Sequence, residues 1–156
     1  MEPELEYVCA PRVRLVEIEQ VASCVAESPP EAKKPADVFD ILRPLIGTKD
    51  REHLVAIHLD SRHRALSIEV VSKGTLGMTP VHPREVFKGA ILANAAAVIV
   101  AHNHPSGDTT ASTEDREAMT RLHGAGKMLG IPMLDFLVIT QDAFWSGRES
   151  SDWPLT

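Results

Sequence analysis

A chain of 156 residues and 17.1 kDa suits a single globular domain. With 44 % hydrophobic and 24 % charged residues it is too apolar to be disordered, yet its longest apolar run, AAAVIVA at residues 95–101, falls far short of the roughly 20 residues of a membrane helix. A net charge of −6 and a pI near 5.6 argue against a dedicated nucleic-acid-binding protein.

No basic stretch followed by a long apolar segment opens the chain, so no secretory leader is expected. Cys9 and Cys24 fit neither a disulfide framework nor a CxxC zinc knuckle, which makes a reducing cytoplasm the expected compartment. Residues 1–34 read as an N-terminal arm, with one strand within residues 7–19 and an exposed Pro- and charge-rich linker at residues 27–35. Residues 35–156 read as the domain proper.

Val38, Ile41, Leu42 and Leu45 fall at i, i+3, i+4 and i+7, the stripe of a short helix closed by Pro44 and Gly47. Residues 52–60 and 65–72 alternate as two strands around the turn SRHR and predict a hairpin. Pro83 suits the first position of a second helix, with Glu85 in its first turn and Val86, Phe87, Ala90 and Ile91 on one face; His82 is placed to cap it. Residues 95–101 predict a strand buried on both faces. A third helix is expected over residues 113–129, with Ala118, Leu122, Ala125 and Leu129 inward, ended by Gly130 and Pro132. Residues 133–140 make a last strand. The order predicts an α/β domain with a mixed central sheet flanked by helices, and parallel pairing at residues 95–101.

The chemistry concentrates in AHNHPSGDTTASTED, residues 101–115. His102 and His104 lie two apart at the end of a buried strand, so both imidazoles point to one side. Pro105 stops the strand, Ser106-Gly107-Asp108 turns the chain, and Asp115 sits in the first turn of the next helix. Two imidazoles and one carboxylate on rigid supports suit zinc with a fourth position left for water. Ser112-x-x-Asp115 is also a helix-capping signature, and a helix-start aspartate can both cap and ligate. Asp108 is placed to support a ligand. The other histidines read as structural or solvated, with His53 and His58 on opposite faces of one strand.

The pattern His102-x-His104-Pro105, six residues, then Ser112-x-x-Asp115 resembles the JAMM (MPN+) metalloprotease family. Asn103 between the histidines and the six-residue gap resemble its RadC-like branch, and the resemblance spans residues 35–150. It implies a cytidine-deaminase-like JAMM/MPN fold, zinc held by His102, His104 and Asp115, Ser112 at the developing oxyanion, and Glu52 as general base, with Glu85 the rival carboxylate. The implied activity is zinc-dependent hydrolysis of a peptide or of an isopeptide-linked tail on a protein substrate. The alternatives are a zinc-stabilised scaffold module and a DNA-repair accessory protein. Longer members of the branch carry a helix-hairpin-helix module, which residues 1–34 do not resemble. The branch commonly has Asp-His at the start of the last strand, where this chain has Asp135-Phe136.

Overall fold

The computed structural model describes residues 28–74 and 81–155. The strand expected within residues 7–19 lies outside them. In chain order the elements are α1 (Pro35–Ile46), β1 (His53–Leu59), β2 (Ala65–Lys73), α2 (Pro83–Leu92), β3 (Ala97–Asn103), α3 (Thr113–Leu129), β4 (Met133–Ile139) and β5 (Phe144–Ser146). The five strands form one mixed sheet in the order β2-β1-β3-β4-β5. β3 runs parallel to β4, with α3 as the crossover, and antiparallel to β1; the hairpin partners β1 and β2 and the pair β4 and β5 are antiparallel.

Period-two alternation sends each central strand's side chains into two apolar layers. Val55, Ile57, Leu59, Ala97, Ile99, Ala101, Leu137 and Ile139 pack against Val38, Leu42 and Ile46 of α1. On the opposite face Leu54, Ala56, Val98, Val100 and Phe136 pack against α2 and α3. Every residue of β1 and β3 is buried, as the unbroken apolar run of β3 predicts.

The helices differ from their expected stripes in detail. In α1 the buried positions are Val38, Leu42 and Ile46, with Ile41 and Leu45 only partly buried. The linker reading of residues 27–35 is corrected at Ala32, which enters the core because Ala32 N donates to His63 O at 2.8 Å and Ala65 N to Pro30 O at 2.8 Å. Ile91 of α2 is exposed, and Gly89 and Ala90 take the inward face. His82 holds the N-cap position of α2, but its side chain makes no capping bond; its carbonyl accepts from Glu85 N instead. In α3 the inward side runs through Ala118, Met119, Leu122 and Gly126, and Leu129 is exposed. No helix among the described residues is long and apolar enough to cross a membrane.

Candidate metal centre

β3 ends where the chemistry begins. Alternation turns Val98, Val100 and His102 to the face shared by α2 and α3, and His104 follows on the same side. His104 N still donates to Ile139 O at 2.9 Å, so the backbone bonding of β3 to β4 carries on through this residue. Pro105 then turns the chain, and Gly107 N donates to His104 O at 3.1 Å. Gly107 itself has φ +83°, a left-handed geometry that glycine adopts without a steric penalty.

α3 delivers the third group. Ser112 is its N-cap: Asp115 N donates to Ser112 Oγ at 3.1 Å, and Ser112 N donates to Asp115 Oδ2 at 2.7 Å, a reciprocal capping box. This cap aims the Asp115 carboxylate at both imidazoles. His102 Nε2 lies 3.1 Å from Oδ1, and His104 Nε2 lies 3.5 Å from Oδ2. One ligand atom from each of the three residues lies within 4.8 Å of the others, a set that can hold a metal ion.

The hydrogen bonds around the imidazoles leave the metal-facing atoms available. The His104 Nδ1–H donates to the Asp108 carbonyl at 2.7 Å, because a carbonyl only accepts. The neutral ring therefore keeps its Nε2 lone pair toward Asp115, the arrangement seen for metal-ligating histidines. Support thus comes from the Asp108 main chain, while its carboxylate accepts from Thr110 N at 2.8 Å. His102 is fully buried against the Phe136 ring, 5.6 Å between centroids, and neither of its ring nitrogens makes a hydrogen bond to the described residues. Leaving a buried polar atom unsatisfied costs about 1–3 kcal/mol; a cation on the Nε2 side would relieve one of them.

Charge is polarised across the cluster. Burial pushes the Asp115 carboxyl up, but the two imidazoles and the Ser112 N–H outweigh it and hold the group far below the usual carboxylate range. The Asp115 carboxylate favours the protonated His104 ring and raises it against its burial, with help from the Asp108 carbonyl and from the charge of Glu52. Half-buried Glu52, immediately before β1, therefore stands within electrostatic reach of the centre. Glu85 is turned to its own helix, with Oε2 3.1 Å from Lys88 Nζ and Oε1 3.6 Å from Arg84 Nε. His53 and His58 lie outside the cluster, on opposite faces of β1 as expected.

The Asp135-Phe136 pair has two separate roles. Asp135 is buried and accepts from Ser146 Oγ at 2.7 Å and Arg148 N at 3.0 Å, holding the chain beyond β4. Phe136 supplies the apolar wall behind His102. The residue that the sequence reading leaves without a role is Asn103, whose partners lie about fifty positions away along the chain, where no local pattern exists to find them.

The RadC-like JAB domain model matches residues 32–152. The chain is 49 % identical over 115 residues to a UPF0758 protein of Symbiobacterium thermophilum, covering 74 % of this chain and 49 % of that protein. It is 45 % identical over 122 residues to one of Rubrobacter xylanophilus, covering 77 % and 54 %. With one of Methanosarcina mazei the figures are 41 % over 125 residues, 80 % and 55 %. The chain spans about half the length of these curated relatives. It belongs to the RadC-like JAB domain family.

Proposed function

We propose that this domain is a zinc-dependent hydrolase of peptide or isopeptide bonds, acting on a peptide or protein substrate in the cytoplasm. The observation that carries this reading is the convergence of two imidazoles and one carboxylate, with no fourth ligand among the described residues, beside an acidic residue. Two ligand atoms about 2.1 Å from a tetrahedral zinc lie about 3.4 Å apart. Each imidazole Nε2 lies near that distance from one oxygen of the Asp115 carboxylate, His102 at 3.1 Å from Oδ1 and His104 at 3.5 Å from Oδ2, and one ligand atom from each residue lies within 4.8 Å of the others. A structural zinc site usually has four protein ligands, whereas three with one open position suit catalysis.

His102, His104 and Asp115 would hold the metal, which when bound acts as a Lewis acid and makes water a nucleophile near neutral pH. Glu52 accepts the proton of the attacking water and returns it to the leaving amine. Ser112 is exposed at the mouth of α3, and its Oγ accepts the Asp115 N–H, which leaves its own O–H free to donate to the developing oxyanion. Phe136 keeps the far side of His102 apolar, which strengthens the electrostatics of the cluster.

A panel of fluorogenic peptide and isopeptide substrates, assayed with the zinc-loaded chain, tests the proposal. Wild type and Glu85→Gln should hydrolyse at least one member, while Glu52→Gln should lose at least about a hundredfold in rate, the scale of general-base catalysis. Equal rates in wild type and Glu52→Gln, with the loss in Glu85→Gln, would contradict the assignment.

A further inference from the structure

Asn103 sits between the two histidine ligands and is almost fully buried, at 1 % exposure. Strand alternation turns its side chain to the face opposite His102 and His104. The β1–β3 ladder stops at Leu54 and His102, and the next pair would be His53 with Asn103. There the Asn103 carboxamide takes over from the backbone. Its Oδ1 accepts the His53 N–H at 2.7 Å, and its Nδ2 donates to the Arg51 carbonyl at 3.2 Å and, at the long distance of 3.5 Å, to the Lys49 carbonyl.

These bonds bracket Glu52. The residue before it is held by its carbonyl and the residue after it by its amide, both from the same side chain. Arg51 O also accepts from His53 Nδ1 at 2.8 Å, and Glu52 O accepts from Gly74 N at 2.9 Å. The segment leading into β1 is thereby tied to the strand that carries two of the three candidate ligands.

We propose that Asn103 is a positioning residue, fixing the Glu52 carboxylate at its working place beside the His102, His104 and Asp115 centre without touching the metal. This rests on the reading of Glu52 given above. An alanine at 103 removes all three bonds and leaves the buried His53 N–H and the Arg51 carbonyl to find other partners, so the preceding segment shifts and Glu52 with it. Aspartate would keep an acceptor for the His53 N–H but would set a carboxylate against two carbonyl oxygens. Both ligands stay on their own supports in either variant.

The test needs no substrate. Zinc affinity is measured by competition with a chromogenic chelator for wild type, Asn103→Ala, Glu52→Gln and the double variant. Glu52→Gln should still load zinc but bind it about tenfold more weakly, as expected when a charge beside a metal site is removed. Asn103→Ala should weaken binding by a similar factor, and the double variant by no more than Glu52→Gln alone, because both changes remove one effect. Multiplying losses in the double variant, or wild-type affinity in Asn103→Ala, would overturn the positioning role and leave Glu52 in place. Unchanged affinity in Glu52→Gln would mean that its carboxylate does not stand beside the centre and would overturn this inference, whereas the base reading of Glu52 stands or falls by the rate assay above. If Asn103→Ala fails to fold, Asn103→Ser, too short to span Arg51 O and His53 N–H, serves in the same cycle, read together with hydrogen exchange at the His53 amide. Faster exchange at His53 with coupled affinities supports the role, and unchanged exchange contradicts it.

Discussion

Ser112 and Asp115 exchange two hydrogen bonds, one of 3.1 Å from Asp115 N to Ser112 Oγ and one of 2.7 Å from Ser112 N to Asp115 Oδ2. The same carboxylate faces His102 and His104. The start of α3 and the candidate metal centre are therefore one structure, and helix capping is part of what aims the ligand. The sequence reading allows Asp115 both to cap and to ligate, and its carboxylate here caps α3 while facing the two imidazoles of a set that could hold a metal ion.

Substitutions separate the two contributions. Ser112→Ala should cost about 1 kcal/mol of stability, the usual worth of an N-cap, while keeping zinc. Asp115→Asn retains an oxygen for the Ser112 N–H and should hold stability near wild type while losing most zinc affinity. Asp115→Ala should lose both. Urea denaturation of the metal-free chains beside zinc titration reads the two effects; full zinc affinity in Asp115→Asn would contradict ligation by the carboxylate.

Gly126 marks where α3 meets the start of β4. A Cβ there would lie 2.7 Å from Ile131 O and 3.0 Å from Met133 N, both backbone atoms that cannot rotate away. Alanine normally gains about 1 kcal/mol over glycine inside a helix. Overpacking of about 1–3 kcal/mol should reverse that sign, so Gly126→Ala lowers the melting temperature. A raised melting temperature would mean that the helix moves off the sheet at little cost.

Gly89 and Gly126 mark where the sequence reading stops. The order of elements through β4, the parallel β3–β4 pair and the grouping of the candidate ligands follow from local signals: an apolar run, a proline stop, a capping box and HxH spacing. Residues 133–140 are not the last strand as expected, because the three-residue β5 (Phe144–Ser146), too short to carry a periodic pattern, pairs with β4 after them. The inward face of α2 does not follow from those signals either, because Gly89 packs where a Cβ would strike the Glu69 carboxylate and His58, and Ile91 is left outside. Burial in α3 ends at Gly126 for the same reason, leaving Leu129 exposed. Asn103 is legible as a residue of the motif, whereas its grip on Arg51 and His53 depends on the β1–β3 register.

The His58–Glu69 pair gives the fold a pH dependence. His58 Nε2 lies 3.7 Å from Glu69 Oε2 on the α2 side of the sheet, and burial pushes the imidazole down from 6.5 to about 4. Below about pH 6.5 the unfolded chain takes up a proton that the folded one refuses. Its share of stability is whole above that pH and is lost as pH falls toward about 4, at 1.36 kcal/mol per unit, in total about 3 kcal/mol. Burial raises Glu69, which titrates with the opposite sign, since the folded chain protonates it first. His58→Gln should flatten the decline and Glu69→Gln should steepen it in urea melts across this window. Parallel profiles for all three chains would contradict the assignment.

The most direct measurement of the central claim is zinc content per chain, by elemental analysis after metal reconstitution, in wild type and Asp115→Ala. The three-ligand centre predicts about one zinc per chain in wild type, from the one such set among the described residues, and far less in the variant. No zinc in wild type, or equal zinc in both, would contradict it.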